Sequence, residues 1–210
     1  MPRYYPMMMD LGGRRCVVVG GGDVAARKIE MLVHCGARVT VIAPEIDSSL
    51  LSLVDGERLT HLKGEYRKGH LDGAVLAIGA TDDEKVNRAV FADASALKIP
   101  VNVVDVPELC SFIVPSVIER GDLLIAVSTS GKSPAMSKRI RKEMERHFGP
   151  EYAEMLKLMG EVRALIQERV PELDRRMEVL TAIANSDLLD RLRVGERPSA
   201  RDVLEGALSK

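Results

Sequence analysis

The sequence lacks what would suit it to a membrane, a disulfide scaffold or nucleic acid. No apolar run approaches the ~20 residues needed to cross a bilayer, and the opening MPRYYPMMMD has no long apolar stretch of the secretory kind. The cytoplasm is therefore the expected compartment, with no membrane partner. Cysteine is scarce: Cys16, Cys35 and Cys110 are odd in number, far apart and without a C-x-x-C pair, which argues against a disulfide framework and against a zinc site. Aromatic residues make up only 3%, leaving few platforms for stacking bases, and a net charge of −1 gives no global attraction to nucleic acid. Internal repeats and low-complexity tracts are absent.

What is present is organised around VVVGGGDVA, residues 17–25. Three consecutive valines read as a buried parallel strand. Gly20, Gly22 and Ala25 then fill the G-x-G-x-x-[GA] pattern. In that pattern Gly20 makes the tight turn, Gly22 lets backbone amides approach a pyrophosphate, and Ala25 lets the helix pack on the strand. The helix N-terminus offers the positive end of its dipole to phosphates. The spacing predicts a helix over 23–35 with Val24, Ile29, Leu32 and Val33 on its apolar side, stopped by Gly36, and a second strand, VTVIA, over 39–43.

Strand, glycine turn, helix and strand make one βαβ unit. An acidic residue at the tip of the second strand usually bonds the adenosine ribose. Here Ala43 and Pro44 stand at that place, so ribose recognition falls either to Glu45 or to backbone around Pro44. No arginine follows to take a 2′-phosphate, which favours NAD over NADP.

Beyond it the pattern predicts a helix over 47–54 capped by Asp47 and a short strand near 59–62. The segment KGEYRKGHL reads as a polar loop, with His61 and His70 as solvated loop residues without ligand spacing. AVLAIGA, 74–80, is the next strand. Thr81 and Glu84 fit a capping box for a helix running to about Leu97. Thr81, Asp82 and Asp83 also lie at the carboxyl end of a parallel strand, where ligands of such sheets bind, so they serve either as a cap or as a cofactor contact. VNVVD, 101–105, delivers Asp105 to the same edge, either as a base or as a cap of the turn before Pro107.

The remaining chain changes character. Two β-rich runs around 119–122 read as a hairpin, with Pro115 marking an edge or bulge. Ser133 followed by Pro134 starts a helix ending near Phe148. Over residues 132–146 there are six basic and two acidic groups. They make either an ordinary solvated face or one for a polyanionic small molecule, with Ser128, Thr129, Ser130 and Lys132 on the approach and Lys138 and Arg141 on the helix. Residues 151–207 are helical, with Leu156, Met159, Val162, Leu165 and Ile166 as one core stripe and Leu188, Leu189 and Leu192 as another. The expected architecture is α/β: a Rossmann-like parallel sheet over 1–113, a hairpin-plus-helix segment over 114–149, and a small helical domain over 150–210.

The ordered set VVVGGGDVAARK, VTVIAPE, AIGATDD, NVVDVPELCSFIVPS and AVSTSGKSP resembles the precorrin-2 dehydrogenase and sirohydrochlorin ferrochelatase family, the N-terminal module of siroheme synthases. The resemblance implies NAD-dependent oxidation of precorrin-2 to sirohydrochlorin by a homodimer whose interface lies largely in 114–149. It places NAD against Asp23, Val24, Pro44 and Glu45, and makes Asp105 the active-site aspartate and general base. Thr129 stands where some relatives carry serine. Some members also insert ferrous iron, and the resemblance leaves that activity open. A competing reading is a dinucleotide-sensing module without catalysis, which would need no carboxylate at Asp105.

Overall fold

In the first half of the chain, short runs of branched apolar residues are separated by amphipathic stretches long enough to cross over, the sequence requirement for parallel pairing. A computed structural model describes residues 4–54 and 57–209. The chain forms two compact units, Met1–Val114 and Pro115–Lys210.

The first unit contains β1 (Arg15–Val19), α1 (Asp23–His34), β2 (Arg38–Ala43), β3 (Leu59–Lys63), β4 (Leu76–Gly79), α2 (Glu84–Ala96) and β5 (Val101–Val103). The strands make one sheet in the order β3-β2-β1-β4-β5, all parallel. Strand order reverses between β1 and β4, the switch point at which open α/β sheets bind ligands. Alternation along each strand feeds two cores. Cys16, Val18, Val39, Val41 and Ile78 meet Ala25, Ala26 and Ile29 of α1 on one face. Val17, Val19, Ile42, Ala77 and Val103 meet Val90 and Ala94 of α2 on the other.

Local details depart from the sequence expectations. Val24 is 37% exposed, and the buried side of α1 is Ala25, Ala26, Ile29 and Leu32, the two alanines lying in the first turn. The segment expected as an α-helix over 47–54 is a 3-10 helix, Ser48–Leu53, with Asp47 accepting from the Ser49 amide. Leu50 is its only buried side chain, and one tight turn places it. His61 lies in β3 rather than in a loop, with Nε2 2.9 Å from the Ala43 carbonyl oxygen. The following polar segment is anchored at both ends. Leu71 is fully buried, and Tyr66 donates its hydroxyl to Asp93 at 2.9 Å.

Helix α2 is capped by Asp83, not by Thr81. Asp83 Oδ1 accepts from the amides of Lys85 (2.8 Å) and Val86 (3.2 Å), while Thr81 Oγ1 accepts from the Asp83 amide. Glu84 pairs with Arg88 instead of closing a capping box. A charged acceptor adjacent to the helix start wins over a hydroxyl two residues earlier, since it also meets the helix dipole.

In the second unit β6 (Ser116–Arg120) and β7 (Leu123–Val127) pair antiparallel, with Pro115 just ahead of the ladder. Helix α3 (Pro134–His147) starts at Ser133, whose hydroxyl accepts from the Met136 amide at 3.2 Å. The last four helices are α4 (Glu151–Arg169), α5 (Leu173–Ala184), α6 (Leu188–Arg193) and α7 (Ala200–Leu208). They close on a core of Val162, Ile166, Val179, Ile183, Leu188 and Leu204. Among the described residues no helix is long and apolar enough to cross a membrane.

Candidate functional site

Pairing register sets the site. Val19 is level with Ile42 and with Gly79, and Gly79 is level with Val103. The residues two positions beyond that row are Gly21, Pro44, Thr81 and Asp105, so four separate segments bring them to one rim at the carboxyl ends of the strands. Asp105 itself lies past the end of β5, not within it.

The glycine turn is held on both sides by backbone. Gly20 has φ +118°, and a Cβ there would lie 2.1 Å from the Ala80 carbonyl oxygen. A Cβ on Gly21 would lie 2.0 Å from the Glu45 carbonyl oxygen, and Gly21 O accepts from the Asp47 amide at 2.7 Å. Gly22 differs: a Cβ there would meet nothing within 4 Å. It is the N-cap of α1 and supplies no side-chain cap, so the first-turn amides face an open cradle. That geometry fits a dinucleotide pyrophosphate. Gly21 is a requirement that the fingerprint reading misses, because the fingerprint leaves its position free.

Around the cradle, Asp23 is exposed and pairs with Arg27 at 3.1 Å. Val24, Pro44, Glu45 and Asp82 are exposed as well. Thr81 is held from two sides: its hydroxyl accepts from Asp83, and its carbonyl accepts from Asn87 Nδ2 at 2.8 Å. Asn87 is 6% exposed, and its Oδ1 has no partner among the described residues. This residue is another that sequence reading passes over. It fills the space where a Cβ on Gly79 would stand, 2.9 Å from that oxygen.

Asp105 is exposed, with φ +59°. Aspartate is one of the few residues with a side chain that tolerates this left-handed conformation. The loop that carries it is pinned by Cys110, whose Sγ lies 3.2 Å from Val103 O and 3.3 Å from Val106 O. Burial pushes the Cys110 thiol up and so keeps it protonated as a donor. Burial also pushes the Cys16 thiol, in the middle of the sheet, up to about 11. None of the three cysteines is in a disulfide. Among the described residues no group of three or more His, Cys, Asp or Glu could hold a metal ion.

In the second unit the residues expected to approach a polyanion divide. Thr129 Oγ1 donates to Ser133 O (3.0 Å) and accepts from Ser133 N (3.2 Å), so its hydroxyl holds the turn into α3. Ser128 Oγ accepts from the Ser130 amide, and Ser130 has φ +53°. On α3, Arg141 pairs with Glu145, and Arg139 pairs with Glu143 at 2.9 Å. Lys138, Lys142 and Arg146 line one shallow depression along the helix, and with Lys132 they carry no ion pair among the described residues. The unbalanced positive charge therefore resides on Lys138, Lys142 and Arg146 more than on Arg141.

A family described as "Putative NAD(P)-binding" matches residues 7–116, and one described as "Sirohaem biosynthesis protein central" matches residues 120–147. The chain is 39% identical over 204 residues to a siroheme synthase of Methylobacillus flagellatus, covering 97% of this chain and 44% of that protein. It is 37% identical over 201 residues to a siroheme synthase of Photobacterium profundum, covering 96% of this chain and 43% of that one. The chain thus spans under half the length of the curated relatives it matches. Among solved structures it is similar to SirC, precorrin-2 dehydrogenase, with a TM-score of 0.80 and 27% identity over 99% of this chain and 100% of that one. Glycine cradle, switch point and matched module together define a protein of the NAD(P)-binding class. The chain belongs to the family described as "Putative NAD(P)-binding", its residues 120–147 match the sirohaem-biosynthesis central family, and it is similar to part of the siroheme synthases.

Proposed function

We propose that the chain oxidises precorrin-2 to sirohydrochlorin with NAD, as a cytoplasmic homodimer. The observation that carries this reading is the shared rim, where Asp105 stands at the same strand level as the glycine turn. The reaction removes two hydrogens from the substrate, one as hydride and one as a proton. Bound NAD supplies the nicotinamide that takes up the hydride. Asp105 accepts the proton on a carboxylate oxygen and, being exposed, passes it to water. Glu45, exposed beside the cradle, suits ribose hydroxyls and repels a 2′-phosphate, which supports NAD over NADP.

The substrate is a macrocycle fringed with carboxylates, and the unpaired cations of α3 match it in charge. Among the described residues β7 pairs with β6 alone, and its Leu124 is 43% exposed, an apolar side chain that a second copy would cover.

The test is anaerobic incubation of fresh precorrin-2 and NAD with the protein, followed by NADH absorbance. Stoichiometric NADH and sirohydrochlorin are expected, and no turnover overturns the reading. In the same assay Lys138→Glu with Lys142→Glu is expected to raise KM for precorrin-2 by about tenfold and leave KM for NAD unchanged. An equal rise in both would remove α3 as the substrate-binding face.

A further inference from the structure

β5 lies at an edge of its sheet, so the polar backbone groups on its outer side need partners other than a sixth strand. The chain supplies them by folding back. Ser111 serves Val101: its amide donates to the Val101 carbonyl at 2.8 Å, and its hydroxyl accepts from the Val101 amide at 2.8 Å. Cys110 serves Val103: Sγ accepts from the Val103 amide at 3.3 Å and lies 3.2 Å from the Val103 carbonyl oxygen. Asn102 Nδ2 donates to the Phe112 carbonyl at 3.0 Å and fastens the end of the same segment.

Asp105 lies within the loop so closed. The Val106 amide donates to the Val103 carbonyl at 3.3 Å, which makes 103–106 a four-residue turn with Asp105 in third place at φ +59°. Val104 packs against the core on the α1 face of the sheet and Val106 against the core on the α2 face, leaving Asp105 exposed between two anchored neighbours. Cys110 Sγ also lies 3.3 Å from the Val106 carbonyl oxygen, so one thiol grips both ends of the turn. A residue with a side chain keeps a left-handed conformation only where its surroundings hold it there. Ser111, Asn102 and the buried Leu109 already fasten the returning segment to the sheet, so what the thiol adds falls on the turn.

Resting on the reading that Asp105 accepts the substrate proton, we propose that Cys110 is a positioning residue for that step: by bridging both ends of the turn 103–106, its thiol fixes the backbone of Asp105 and so the direction in which the carboxylate is presented. Without the bridge, Asp105 is released towards the negative φ that side chains favour. That rotation turns the Cα–Cβ bond and carries the carboxylate out of line with the substrate hydrogen.

The test uses the full chain with Cys110→Ala, Cys110→Ser and Asp105→Asn, singly and with the alanine and asparagine changes combined, in single-turnover oxidation of precorrin-2. Cys110→Ala is expected to lower the rate by about ten- to a hundredfold, as misplacement of a reacting group does, with KM for NAD unchanged. Cys110→Ser keeps a donor and an acceptor at the same place and is expected to return the rate to within about threefold of wild type. On the Asp105→Asn background, Cys110→Ala is expected to change the rate by less than about twofold, because no carboxylate remains to be directed. Cys110→Val, which refills the space without a donor and suits the extended backbone at 110, repeats these comparisons should the alanine variant unfold. A wild-type rate in Cys110→Ala, no recovery in Cys110→Ser, or an equal loss with and without the Asp105 carboxylate overturns the inference. If Asp105→Asn loses its rate while Cys110→Ala keeps it, only the role of Cys110 falls. If Asp105→Asn is fully active, the assignment of Asp105 falls and takes this inference with it.

Discussion

Asp105→Asn is expected to lower kcat for precorrin-2 oxidation by about 10²–10⁴-fold, the range for loss of a positioned base. The thermal midpoint and the affinity for NAD should stay near wild type. Asparagine is the informative replacement because position 105 has φ +59°. Asparagine enters that region nearly as readily as aspartate, whereas alanine would add backbone strain to any loss of chemistry. The loop contacts made by Cys110 and Leu109 do not involve the carboxylate and should survive. Turnover, melting and NAD titration on the same preparation separate the effects. A variant with the wild-type rate would remove Asp105 as proton acceptor. A wild-type chain that binds NAD without oxidising precorrin-2 would instead favour a dinucleotide sensor.

The second large effect is a contrast between neighbouring glycines. Gly22→Ala is expected to leave the melting temperature within a few degrees of wild type and weaken NAD binding at least about tenfold, or ~1.4 kcal/mol. Gly22 has φ −78° and ψ −176°, which alanine adopts freely, and its added methyl meets no protein atom within 4 Å. That methyl projects instead into the cradle where the pyrophosphate must approach. Gly21→Ala should do the reverse at first order. Its methyl would stand 2.0 Å from the Glu45 carbonyl oxygen, so the turn must open, costing about 1–3 kcal/mol as overpacking does. Calorimetric NAD titration and thermal melting read the two quantities independently. Undiminished NAD affinity in Gly22→Ala would place the dinucleotide elsewhere.

How far the sequence reveals this arrangement depends on how local each feature is. β1, α1 and β2 are legible because three valines, a glycine turn and a 3.6-residue stripe each follow from neighbours in the chain. Strand ends are less so. AVLAIGA reads as seven strand residues, yet the strand is Leu76–Gly79, with Val75 and Ala80 each adding one backbone hydrogen bond to β1 at its ends. The sequence around Thr81 offers two capping solutions, and the choice of Asp83 rests on backbone geometry. His61 reads as loop because a polar, glycine-broken stretch follows closely, while its place in β3 comes from pairing with β2. Gly21 and Asn87 matter through contacts with segments beyond their own turn or helix: Glu45 and Gly79. Cys110 is visible in the sequence, but its loop-holding role depends on how Pro107–Leu109 turns back.

The common level of Val19, Ile42, Gly79 and Val103 makes the two ends of the sheet unequal in tolerance to insertions. One residue inserted between Val103 and Asp105 would carry the carboxylate off the level of the glycine turn, since its place is counted from the last paired residue of β5. An extra residue at Gly73, between the buried Leu71 and the start of β4, shifts no rim position. Length polymorphism within this fold should therefore collect at the strands' starting edge, while the spacing of the groups at their finishing edge stays invariant.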